Sequence, residues 1–233
     1  AICAVRGSMG LNRKGPDVRR SVGRLTRACD RHTGPAFSTA TLEYDIEGMR
    51  RYTVTLKAFE DEPRVDVVLR LHKQSVWEPE NLYIALPFCP GAPEFERWLD
   101  KTGAMMRPGI DQIPGTLTDY YSVQAGVALC SDTRGLIIAT PDTHLIQLGD
   151  LDFGPRPLAG DKALESQHSR MYVWLMNNFW ETNFDADLAG FYEFRFSVLW
   201  GADLRDPVRA LERCRDVNYG IRSFRLKKTA GGT

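Results

Sequence analysis

Residues Met176 to Phe184 crowd amides, a hydroxyl and a carboxylate around an indole, directly after a strand-like run from Met171 to Leu175. Asn177, Asn178, Trp180, Glu181, Thr182 and Asn183 stand where a strand core is expected, and buried amides are costly unless hydrogen-bonded. Two readings fit. A flat indole can stack on the C–H face of a sugar ring while the amides fix its hydroxyls. Alternatively, the asparagines satisfy backbone groups in a turn. A second polar segment, Asp111-Gln112-Ile113-Pro114-Gly115-Thr116, leads to Asp119-Tyr120-Tyr121. Pro108-Gly109 and Pro114-Gly115 bracket it, which predicts a structured loop holding a carboxylate beside an amide. Such a pair binds hydroxyls, or braces its own loop.

Other chemistries find less support. Glycoside hydrolysis needs two carboxylates across the scissile bond. Asp111, Asp119, Glu181 and Asp185 are available near loops, but sequence does not say which of them converge. Asp142-Thr143-His144 has the spacing of two metal ligands on one side of a strand, without an evident third. His32, His72 and His168 are isolated. There is no GxSxG, P-loop or GxGxxG before a helix, so these motifs support neither a nucleophile elbow nor a nucleotide site.

The elements that must position these residues are mostly strands. From Thr39 to Ile46, Ala40, Leu42, Tyr44 and Ile46 alternate with polar neighbours, a period of two that puts them on one sheet face. Tyr52, Val54, Leu56 and Ala58 repeat the pattern, as do Val65, Val67, Leu69 and Leu71 after a turn at Glu60-Asp61-Glu62-Pro63. These runs predict an antiparallel meander with one wetted face, His72 lying on its polar side. Further strands are expected at Leu82–Phe88, Val123–Cys130, Leu136–Thr140, Leu145–Leu148, Met171–Met176 and Phe191–Trp200. The last is apolar on both faces and should be central between two layers. One helix is marked over about 207–217, with Asp206 as N-cap, Pro207 at N1, the stripe Val208, Leu211, Cys214, Val217, and Gly220 beyond. Strands so outnumber helices that the expected class is all-β, two stacked antiparallel sheets with one accessory helix.

Bulk properties agree with one globular unit. The 233 residues are 43% hydrophobic and 26% charged, enough for one good core. Thirty basic and thirty acidic residues cancel, which argues against a general nucleic-acid surface. No apolar run approaches the ~18 residues of a membrane-spanning helix. Five cysteines without close spacing fit reduced thiols, and with no recognisable leader they point to a cytoplasmic setting. Residues 1–36 carry seven arginines and Lys14 against Asp17 and Asp30. They read as a basic arm or as incomplete leading strands, with the β domain over 37–233.

Several segments together resemble the C-terminal β-sandwich of glycoside hydrolase family 38, the α-mannosidases. They are Arg64-Val65-Asp66-Val67, the run Glu80 to Phe88, Asp111 to Gly115, Ala139-Thr140-Pro141-Asp142 with Leu145 to Gly149, and Met176 to Asn183, in the family's order. The resemblance implies a galactose-mutarotase-like supersandwich. It implies a zinc-dependent catalytic α/β domain elsewhere, on the same or a neighbouring polypeptide, as partner. Zinc and the aspartate nucleophile belong to that domain, so no catalytic residue and no metal ligand is assigned here. The chain's expected role is non-catalytic packing on that domain. Asp111, Gln112, Asp119, Tyr120, Asn177, Asn178, Trp180, Glu181, Thr182 and Asn183 are its candidates for carbohydrate binding or for the domain interface. The first 36 residues and the end from Asp206 depart from the family's pattern. The alternative is a stand-alone carbohydrate-binding module or an aldose epimerase of the mutarotase type. An epimerase would draw its acid and base from His144 or His168 with Glu165 or Glu181.

Overall fold

A computed structural model describes residues 2–5, 19–88, 94–116, 120–149, 151, 171–178, 187–221 and 223–224, the first four by backbone alone. In chain order the strands are β1 (Ile2–Val5), β2 (Arg19–Val22), β3 (Arg24–Thr33), β4 (Phe37–Asp45), β5 (Met49–Phe59), β6 (Arg64–Lys73), β7 (Glu80–Ala85) and β8 (Glu96–Lys101). They continue with β9 (Ala104–Met106), β10 (Tyr120–Ser122), β11 (Gly126–Cys130), β12 (Gly135–Ala139), β13 (Leu145–Leu148), β14 (Met171–Asn177) and β15 (Gly190–Gly201). A 3-10 turn, Ala202–Arg205, leads into helix α1 (Pro207–Tyr219).

Every described pairing is antiparallel. One sheet has the order β10-β13-β14-β7-β1-β2 and the other β3-β4-β5-β6-β15-β12-β11-β8-β9. The predicted all-β class and the two-sheet architecture hold. Between β2 and β3 the chain passes from one sheet to the other through the single residue Gly23.

The period-two runs explain the core. Tyr52, Val67, Leu69, Leu71 and Phe196 of the larger sheet meet Leu82, Ile84, Ile146, Met171 and Val173 of the smaller in one buried cluster. Burying a Leu- or Ile-sized side chain stabilises by about 1.5–3 kcal/mol, so this seam dominates the fold's energetics. A second cluster lies on the larger sheet's outer face, where Ala128, Ile137, Ala139 and Leu199 pack under Ala210, Leu211 and Cys214 of α1.

Helix α1 begins as its sequence predicts: the Asp206 carboxylate accepts a hydrogen bond from the Arg209 N–H at 3.0 Å, and Pro207 follows at the first turn. Its buried stripe differs from the expected one, because Ala210 sits in the interface while Val208 is exposed. Gly135, the first residue of β12, admits the 3-10 turn against the sheet. A methyl there would lie 1.8 Å from the Leu204 carbonyl oxygen, so no other residue fits without moving backbone.

Three departures from the sequence pattern have physical causes. Strand β8 shows no alternation because both its faces are covered: Leu99 points into the sandwich, Trp98 packs toward α1, and the buried Asp100 pairs with Arg215 of the helix. Strands β2 and β3 lie at sheet edges with little buried surface, so the polar sequence of residues 19–33 carries no hydrophobic signal. Strand β15 is the middle strand of the nine, as expected, but only part of it is covered on both faces. Its Leu199 end lies under α1, whereas Phe191 at the other end is 81% exposed.

Candidate functional site

The loop after β9 braces itself. The Arg107 backbone N–H donates to Asp111 Oδ2 at 2.8 Å, and the Arg107 Nη2 donates to Asp111 Oδ1 at 3.0 Å. The same guanidinium reaches Glu96 Oε1 at 3.2 Å and lies 5.1 Å from the Trp98 ring centre. Hydrogen bonds from the Arg107 side chain and backbone hold the Asp111 carboxyl below its usual range. Gln112 Oε1 accepts from the Gly109 N–H at 2.7 Å and from the Tyr121 hydroxyl at 2.8 Å. Its amide nitrogen donates to Thr116 Oγ1 at 3.3 Å. Gly109 and Gly115 take positive φ, which the two Pro-Gly pairs supply. Tyr121 belongs to the core between the sheets, so Gln112 ties the loop to the end of the sandwich. Arg97 lies on the inner side of β8, as Leu99 does. Its burial pushes the guanidinium pKa down to about 10, with Tyr121 partly offsetting the shift.

Asn178 is 4% exposed and serves backbone partners. Its Oδ1 accepts from the Glu80 N–H at 2.6 Å, and its Nδ2 donates to the Val76 and Glu78 carbonyls, each at 3.1 Å. The amide thereby holds the segment that enters β7. Beside it, Lys73 and Glu80 form an ion pair whose side chains are almost wholly buried. Asn177 ends β14 opposite Asn81. Tyr120 opens β10, and its ring meets Trp174 edge-on at 5.8 Å, while Trp174 stacks on Tyr83 at 5.6 Å. Asp119, Trp180, Glu181, Thr182 and Asn183 lie outside the described residues, as do Glu165, His168 and Asp185.

Among the described candidates, Tyr120 and Asn177 stand apart. Tyr120 shares a cross-strand row with Gln147, Tyr172 and Ala85, whereas Asn177 is five positions further along β14. A bulge between Trp174 and Met176 takes up one of these, so at ~3.3 Å per residue the separation is roughly 13 Å. Asp142 of the Asp142-His144 spacing is engaged by Arg195, whose Nε and Nη2 each donate to its carboxylate at 2.8 Å. Among the described residues no group of three or more His, Cys, Asp or Glu is placed to hold a metal ion, so the zinc of the resemblance has no ligand set among them.

A different place has the shape of a site. The outer face of the nine-stranded sheet, at the end away from α1, carries a hollow of about 490 Å³. Register builds it. Arg51, His72 and Phe191 form one cross-strand row, and Thr53, Arg70 and Glu193 form the next. Thr41 and Thr55 form a third row, with hydroxyls 3.1 Å apart. Asp30 closes the rim from β3, where a bulge between Cys29 and His32 inserts an extra residue. Asp30 has φ of 50°, the only positive φ of a non-glycine among the described residues. Alternation marks Thr41, Arg51, Thr53, Thr55, Arg70 and His72 as a wetted face in the sequence, but not Asp30, Phe191 or Glu193, and only the register shows which of them are neighbours.

No protein-family model matches the chain, and no curated protein matches it in sequence. Solved structures do. An α-mannosidase from Enterococcus faecalis V583 is similar over 94% of this chain and 27% of its own, at 8% identity and a TM-score of 0.62. A protein of glycosyl hydrolase family 38 from Enterococcus faecalis is similar over 94% and 28%, again at 8% identity, with a TM-score of 0.60. The chain thus shares its fold with a part of these proteins and spans little more than a quarter of their length.

Proposed function

We propose that this chain is the C-terminal β-sandwich of an α-mannosidase-like glycoside hydrolase. It packs on a zinc-dependent catalytic α/β domain, performs no chemistry of its own, and contributes to the carbohydrate-binding rim. The observation that carries the reading is the fold likeness, which covers nearly all of this chain but about a quarter of each mannosidase-type protein. The self-braced Asp111–Gln112 loop and the Asn178 clamp suit it: both give rigid surfaces against which another domain can rest.

Two experiments test it. The reading frame upstream of Ala1 should encode an α/β domain with zinc ligands and an aspartate nucleophile. The purified 233-residue chain should not hydrolyse an aryl α-mannoside. An upstream frame without such a domain overturns the proposal, as does turnover by this chain alone that a chelator abolishes.

A further inference from the structure

The hollow on the outer face of the nine-stranded sheet belongs to neither of the loops considered for the rim. Its chemistry is specific. Phe191 is 81% exposed and stacks on His72, ring centres 4.0 Å apart and planes inclined by 23°. One face of the phenyl ring is thereby backed by the imidazole and the other is presented outward. A lone exposed aromatic needs no explanation. Here, however, the ring is supported from behind and lies one row from charged and hydroxyl groups in a concave surface.

Those groups form a mixed set of donors and acceptors. Arg70 Nε donates to Glu193 Oε2 at 2.7 Å, so guanidinium and carboxylate are held side by side in one row. Asp30 and Arg51 complete two acids and two arginines around the hollow, so their formal charges cancel. Such a balance does not favour a phosphate or sulfate, which arginines without carboxylate neighbours would take. Paired donors and acceptors beside a flat apolar ring match vicinal hydroxyls and the C–H face of a pyranose. The volume lies within the 300–1,000 Å³ usual for small-molecule sites. The left-handed backbone at Asp30 is a further sign. Bulges re-aim side chains, and a non-glycine in this conformation persists where the surroundings enforce it.

We infer that this hollow is a binding site for a neutral saccharide, with Phe191 as stacking platform and the Arg70–Glu193 pair as hydroxyl ligand. It rests on the mannosidase-like reading only in the choice of a mannoside among the probes. For a single sugar ring on an open surface the expected dissociation constant is about 1 mM.

The test is an amide chemical-shift titration of the whole chain with methyl α-mannoside, methyl β-galactoside and methyl β-glucoside, and with a sugar phosphate as anionic control. At least one neutral glycoside should give saturable shifts confined to the neighbourhood of Thr53, Arg70 and Phe191. Phe191→Ala and Arg70→Gln, both exposed positions, should each weaken binding about tenfold or more, with the melting temperature showing that the variants fold. Trp77→Ala, an exposed aromatic outside the hollow, should leave binding unchanged. Absence of saturable shifts with all three glycosides at about 20 mM overturns the inference. So do shifts elsewhere, unchanged affinity in a folded Phe191→Ala, or tighter binding of the phosphate. An inert hollow would leave the domain assignment standing, since that is decided by the upstream frame and the mannoside assay.

Discussion

Asn178 illustrates how one amide can look like a ligand group and act as a brace. Its side chain satisfies one N–H and two carbonyls of the segment entering β7, while Glu80, whose N–H it accepts, carries the buried partner of Lys73. Replacing it with alanine leaves three backbone groups without those bonds, in a place where water reaches poorly. We expect Asn178→Ala to destabilise the fold by about 2–4 kcal/mol in denaturant unfolding. A loss under about 0.5 kcal/mol would show that the amide is not needed there. The sequence exposes Asn178 and Asp111 as polar residues in unlikely settings, but their partners decide their roles. Asn178's partners lie about a hundred positions away, so no local pattern reveals them. Asp111's partner is Arg107, one helical turn's distance in sequence, yet only the folded loop shows both of its oxygens engaged.

Among elements, legibility follows coverage. The meander β4-β5-β6 is readable because one face is buried and the other wet, so the period of two survives in the residue types. Strand β8 is not, because sandwich and helix bury opposite faces and Asp100 is taken inside with Arg215. The connection from β12 to β13 carries the chain between sheets, and it is fastened to β15 through Asp142 and Arg195. Hydrogen bonding from Arg195 lowers the Asp142 pKa from the ordinary 3.8. A carboxyl lowered on folding stabilises the native state fully above that value, and the contribution disappears as pH falls through the lower, folded value. Arg195 is well exposed, so the pair contributes only about 0.5–1 kcal/mol. Asp142→Asn should therefore lower the melting temperature by about 1–4 °C near pH 7, and the difference should shrink as pH falls below 3.8. A deficit that persists unchanged in acid would assign the effect to lost packing.

For the molecule as a whole, the question is whether helix layer and sandwich unfold together. Cys130 and Cys214 lie in the cluster beneath α1, and burial pushes the Cys130 thiol up to about 12 and raises that of Cys214 as well. Thiolate is the reactive form, so both should resist alkylation in the native protein. With peptide mass spectrometry following maleimide labelling along a denaturant series, we expect both to become reactive together at the global midpoint. Cys29, partly exposed on β3, should react throughout. Earlier labelling of Cys214 would show that α1 detaches before the sheets separate.

Strand β3 has a consequence for how such molecules meet one another. Among the described strands it is a border of the nine-stranded sheet, a row of backbone groups on which a second copy could continue the ladder. Arg24, Arg27, Asp30 and Arg31 crowd that border with charge, and two irregularities in its register break the straight line that a joining strand would need. The same distortion that turns Asp30 toward the hollow makes the border unsuited to edge-to-edge polymerisation, so a large sheet can end in water without inviting another.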